Sequence, residues 1–144
     1  MIVSDLLLDK KYRILMIAPN EPITKLAQRL SDAQVGCMVV SRDGRTVDGI
    51  ISERDIIRGL ATYAGRIEKL SVADLMTRSV ITCSPNDDIA RIARIMTRRR
   101  IRHIPVLEGD RLIGVVSIGD VLKHRLGELE LQANVLRDYT IALR

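Results

Sequence analysis

The chain of 144 residues contains no Phe and no Trp, and its aromatics are only Tyr12, Tyr63 and Tyr139. Its core must therefore be built from Ile, Val, Leu, Ala and Met. The aromatic platforms on which single-stranded nucleic acids stack are nearly excluded. Cysteine is almost as scarce. Cys37 and Cys83 stand in apolar or strand-like runs without C-x-x-C spacing, too few for a disulfide framework or a zinc site, and this usage suits a reducing cytosol. No apolar run approaches the roughly 20 residues that cross a bilayer. The start, Met1 to Lys11, carries Asp5 and Asp9 and lacks the apolar stretch and end of a cleavable leader. A soluble, cytoplasmic protein is expected.

What is present describes a foldable chain. Hydrophobic residues make up 47% and charged residues 28%, far from the compositions that stay disordered. The length suits one domain, or two very small ones packed together. A net charge of +5 and an isoelectric point near 9.6 permit an anionic partner without identifying one.

The sequence repeats itself. Ala18 to Leu30 matches Ser84 to Met96 at an offset of 66, pairing Pro19 with Pro85, Ile23 with Ile89, Leu26 with Ile92 and Leu30 with Met96. At an offset of 65, Gly49-Ile50-Ile51-Ser52 and Asp55 match Gly114-Val115-Val116-Ser117 and Asp120. The openings agree too, Val3 to Leu7 resembling Val72 to Met76.

Each unit reads in one order. The prolines and acidic residues at 19–22 and 84–87 mark helix starts. Ile23, Leu26, Ala27 and Leu30, then Ile89, Ile92, Ala93 and Met96, keep the i, i+3, i+4, i+7 spacing of a buried stripe. Paired strands follow at Cys37 to Val40 with Val47 to Ile51, and at Ile104 to Leu107 with Leu112 to Val116, around glycine-containing turns. Helices then run near Glu53 to Ala64 and Ile118 to Leu126. A short helix and a brief strand, around Leu15 to Ile17 and Val80 to Thr82, precede each unit. Neither half can hide both faces of a small sheet alone, so sheet-to-sheet packing with pseudo-twofold symmetry and two equivalent clefts is expected.

The polar element common to both units is Gly-apolar-apolar-Ser-x-x-Asp at a strand-to-helix corner. Unpaired amides and the positive helix end suit a phosphate there, and an ionised carboxylate suits the two hydroxyls of a ribose. Ser-x-x-Asp is also close to an ordinary capping box, in which both side chains serve only the helix. The second unit adds Arg102 and His103, at the start of the strand beside Leu112 to Ser117, where they can approach the same cleft mouth as Ser117 and Asp120. Between Arg91 and Arg102 there are six arginines and no acidic residue. Arg91, Arg94 and Arg98 fit a solvated helix face.

The order and duplication of Gly49-Ile50-Ile51-Ser52-Glu53-Arg54-Asp55, Gly114-Val115-Val116-Ser117-Ile118-Gly119-Asp120, Arg102-His103-Ile104-Pro105-Val106 and Val72-Ala73-Asp74-Leu75-Met76-Thr77 resemble a tandem pair of CBS domains, the module named after cystathionine beta-synthase. The resemblance implies an α+β fold of two β-α-β-β-α repeats, packed sheet to sheet with a C-terminal helix (a Bateman-type module), here a stand-alone protein of bacterial type. The repeats would be 3–64 and 72–126, with a linker at 65–71 and a C-terminal helix at 127–144. It further implies a regulatory sensor of energy or redox state that binds AMP, ADP or ATP, or else NAD or S-adenosylmethionine, as a homodimer acting on an effector protein. By the same resemblance Asp55 and Asp120 hold ribose hydroxyls, and Ser52 and Ser117 meet ribose or phosphate. Arg102 and His103 meet phosphate, and Thr82, Ile104 and Pro105 line the adenine slot.

The first repeat departs from that pattern, with Gly36-Cys37-Met38-Val39 in place of Arg102 to Pro105. Met38 is its lining residue there, and the site marked by Asp120 ranks above the one marked by Asp55. The tail places Leu122, Leu129, Leu136 and Leu143 at intervals of seven, with Leu126, Ala133 and Thr140 four residues after the first three. That is a short coiled-coil-like seam, interrupted by Gly127, for packing on its own chain or for a homodimer. The alternative function is nucleic-acid binding through Arg94 to Arg102. No Ser/His/Asp set, metal motif or Walker loop argues for an enzyme.

Overall fold

A computed structural model describes residues 1–8 and 14–143; Arg144 and the stretch from Asp9 to Arg13, with Tyr12, lie outside the described residues. The elements in order are α1 (Val3–Leu8), β1 (Met16–Ile17), α2 (Ile23–Ala33), β2 (Cys37–Val40), β3 (Gly49–Ser52), α3 (Glu53–Tyr63), a 3-10 turn (Ile67–Lys69), α4 (Val72–Leu75), α5 (Ile89–Arg99), β4 (His103–Glu108), β5 (Arg111–Ser117) and α6 (Ile118–Ala142). β1 runs parallel to β2, which pairs antiparallel with β3 in a three-stranded sheet; β4 and β5 form an antiparallel pair.

Each sheet covers its own core. Ile23, Leu26 and Leu30 of α2 pack with Ile17, Met38, Val40 and Ile51, while Ile89, Ile92 and Met96 of α5 pack with Ile104, Val106 and Val116. The expected stripe holds except at Ala27, which is exposed. The short opening helices are exchanged. Val3 of α1 is fully buried in the second core, and its amide donates to the Asp87 carbonyl at 2.9 Å; Val72 of α4 is fully buried in the first core, and its amide donates to the Glu21 carbonyl at 2.8 Å. This exchange explains the repeated glycine of the motif. A Cβ at Gly49 would stand 2.8 Å from Met76 Sδ and the Thr77 carbonyl, and one at Gly114 would stand 2.6 Å from Leu7 Cδ2. Each glycine therefore admits the other repeat's opening helix.

Two expected elements differ. The brief strand at Val80 to Thr82 does not form; the chain makes a single parallel bridge, Cys83 to Val106. The cause is Pro105. In the first repeat the amide of Val39 donates to the Leu15 carbonyl at 3.3 Å and extends the parallel pairing. Pro105 stands at the position of Val39 and has no N–H to donate. Nor does Gly127 end a helix, since α6 runs unbroken through it for 25 residues, an interior glycine costing only about 1 kcal/mol relative to alanine. From residue 129 onward α6 is exposed all round.

Candidate functional site

Two clefts lie between the sheets, one at each strand-to-helix corner. The smaller, of about 350 Å³, is bounded by Ser117 and Asp120, by Leu7 of α1, and by Val35 to Val39 of the first repeat. The larger, of about 540 Å³, is bounded by Ser52, Asp55, Thr77 and Ser79 on one side and by Arg99, Arg100 and Arg102 on the other. Cys37 and His103 border both. These equivalent positions, one from each hairpin, form the partition between the clefts.

Both corners are capping boxes and both face a cleft. Asp120 Oδ2 accepts from the Ser117 amide at 2.8 Å and from Ser117 Oγ at 2.7 Å, while the Asp120 amide donates to Ser117 Oγ at 3.2 Å. Asp55 Oδ2 accepts from the Ser52 amide at 2.8 Å and from Ser52 Oγ at 3.2 Å. The cap thus occupies one carboxylate oxygen at each corner, and Asp55 Oδ1 takes no hydrogen bond from a described residue. The motif alone is not the signal: Ser71 and Asp74 make the same box at the start of α4 yet border neither cleft. Position between the sheets distinguishes the two corners.

The side chains sort differently from the sequence expectation. His103 is directly opposite Ser117 in the β4–β5 ladder and borders the Asp120 cleft as well as the other. Arg102 does not. Its carbonyl accepts from the Ile118 amide at 2.8 Å, tying its backbone to the second corner, yet the residue borders the Asp55 cleft. The basic pair expected at the Asp120 site is thus divided: Arg102 borders the cleft across the partition, while His103 borders both. Ile104 is fully buried in the second core, Pro105 is buried where it ends the parallel pairing, and Thr82 is exposed; none of the three borders either cleft. Met38 borders the Asp120 cleft, not the one marked by its own repeat's Asp55.

Arg58 and Ser79 were not singled out from sequence, Arg99 and Arg100 were read only as part of a cluster for nucleic acid, and Thr77 only as the end of a motif. For Arg58 a signal existed: it lies one turn after Arg54, on the same face of α3, just past the motif. Arg100 has a left-handed φ of +53° that ends α5 and turns the chain into β4. Burial, followed by the nearby charge of Asp55, pushes the Cys37 thiol up to about 12, so at neutral pH it is an uncharged wall and not a nucleophile. Burial, then Asp87, does the same to Cys83, also to about 12. Among the described residues no group of three or more His, Cys, Asp or Glu could hold a metal ion, and no helix is long and apolar enough to cross a membrane.

The family model described as CBS domain matches residues 3–62 and 72–127. The chain belongs to the CBS domain family. It is 34% identical over 108 residues to a mitochondrial CBS domain-containing protein, CBSX3, of Arabidopsis thaliana, covering 72% of this chain and 52% of that protein; it spans about half the length of that relative. The crystal structure of the CBS-domain containing protein ATU1752 from Agrobacterium tumefaciens superposes with a TM-score of 0.82 at 36% identity, covering 87% of this chain and 99% of that one. CBSX2, whose crystal structure is described as a complex with AMP, shares the fold at a TM-score of 0.73 and 22% identity over 88% and 96% of the two chains.

Proposed function

We propose that the chain is a regulatory module, without chemistry of its own, that binds an adenosine nucleotide (AMP, ADP or ATP, with NAD or S-adenosylmethionine as the other adenosyl candidates) in the larger cleft. The observation that carries this reading is that the Ser52–Asp55 corner of one repeat and the arginines of the other face each other across about 540 Å³, within the range of small-molecule sites. Asp55 would accept from ribose hydroxyls through Oδ1 while Oδ2 keeps the helix capped. The first-turn amides of α3 and the arginines would meet phosphate. Ile50, Val80 and Ile81 supply apolar surface for a base. Ser117, Asp120 and His103 mark the second, less basic site. A ligand touching both repeats, 3–64 and 72–126, favours whichever arrangement of the two closes on it. In a cytoplasmic homodimer that preference would reach an effector protein.

Calorimetry of the ligand-free protein against AMP, ADP, ATP, NAD(H) and S-adenosylmethionine tests the reading. At least one should bind, and Asp55→Asn should weaken it by about tenfold or more, the loss of one charge-assisted hydrogen bond to a sugar. A folded protein that binds none of them would overturn it.

A further inference from the structure

Five arginines border the larger cleft: Arg54 and Arg58 from α3, and Arg99, Arg100 and Arg102 from the end of α5 and the approach to β4. None of their guanidinium groups forms an ion pair or hydrogen bond with a described residue. Elsewhere three surface arginines are paired, Arg42 with Asp48 at 3.0 Å, Arg91 with Asp87 at 3.4 Å and Arg125 with Glu128 at 3.3 Å; what sets the cleft apart is the number of arginines gathered in one place. The acidic residues of the cleft are Glu53 and Asp55, so five cations face two anions, an excess of +3 before His103 is counted.

We infer that this cleft selects a nucleotide with a di- or triphosphate chain over a monophosphate. The inference rests on the adenosyl reading above and adds the charge class of the ligand. A single phosphate carries about −1.5 to −2 at pH 7 and would leave part of the excess unmatched. A longer chain matches it and reaches the arginines of both repeats. Guanidinium groups take phosphate oxygens in pairs, so α3 of the first repeat and the α5–β4 junction of the second form two jaws on one anion. Like charges gathered without counter-ions repel at low salt. The chain carries that cost where the sheets meet, and a polyphosphate removes it.

The experiment is calorimetry of the ligand-free full chain with adenosine, AMP, ADP, ATP, inorganic tripolyphosphate and a short single-stranded oligonucleotide, in magnesium-free buffer near 0.15 M salt. ADP and ATP should bind at least about tenfold more tightly than AMP. Arg99→Gln with Arg100→Gln should bring ATP to within about threefold of AMP, because ATP loses more affinity than AMP does. Asp55→Asn should weaken every adenosyl ligand alike. Equal affinity for AMP and ATP would overturn the inference and leave the adenosyl reading standing; no binding of any adenosyl compound would overturn both. Tripolyphosphate or the oligonucleotide binding as tightly as ATP, and indifferent to Asp55→Asn, would identify a general polyanion surface and also overturn it.

Discussion

The two repeats carry the same corner but different neighbours. In the second repeat the antiparallel strands are longer, closing through a turn at Gly109 with φ +63°, and Pro105 cuts the parallel pairing to one bridge. In the first the parallel strand persists, and the hairpin loop is organised by Asp43, whose Oδ1 accepts from the Arg45 and Thr46 amides at 2.8 Å each. The chemistry crosses over: the basic residues of the second repeat serve the corner of the first. Duplication of a motif therefore does not duplicate a site, because each cleft is bounded by both copies and the copies have diverged on the faces turned toward each other.

Truncating equivalent core residues breaks this comparison most severely. Met38 and Ile104 occupy the same place in the two hairpins and are almost wholly buried, so Met38→Ala and Ile104→Ala should each cost about 2–5 kcal/mol in urea denaturation. If Ile104→Ala instead lost nucleotide affinity at unchanged stability, Ile104 would be a cleft wall and its assignment to the core would fail. The exchanged helices give the next effect. Gly49→Ala meets backbone at Thr77 and should cost about 1–3 kcal/mol, more than Gly114→Ala, where the obstacle is the flexible end of Leu7.

Asp43 sharpens the contrast between the loops through pH. Hydrogen bonds from the Thr46 and Arg45 amides, and then from the Thr46 hydroxyl, hold its carboxyl well below the usual carboxylate range. A depressed folded value means that its stabilisation is fully present above the unfolded value of about 3.9 and is lost as the pH falls toward the folded one. Asp43→Ala should lower the melting temperature at pH 7, and the gap to the parent should close only below about pH 4; a gap constant down to pH 2 would show that the loop does not depend on the charge. The smallest effect is expected at Pro105. Pro105→Val restores an amide that can donate to the strand before Cys83, protecting it from hydrogen exchange and shifting stability by about 0.5–1.5 kcal/mol at most.

The helices, both hairpins and the duplicated corner were legible because they are local: 3.6-residue stripes, turn glycines and a strand ending on Ser-x-x-Asp each depend on a few consecutive residues. The motif's serine was read both as a ligand group and as a helix cap, and its glycine was given no role of its own. Gly49 and Gly114 make room for exchanged helices, and Ser52 and Ser117 cap α3 and α6 while facing a cleft. The cleft that Arg102 borders and the loss of the strand at Val80 to Thr82 escaped the sequence for one reason. Which face of a strand a residue meets, and which rung its missing amide removes, depends on where the neighbouring strand lies, and short-range spacing does not record that.

The sequence by itself determined that the chain folds into two copies of one helix-and-hairpin unit with two polar corners, since hydrophobic periodicity and turn chemistry act over a few residues. Only the tertiary structure decided that the opening helices exchange cores and that the arginines of one copy face the carboxylate of the other. Those pairings join residues far apart in the chain, Asp55 with Arg102 and Val3 with Asp87, and burying Val3 and Val72 in each other's cores is what brings the two copies together.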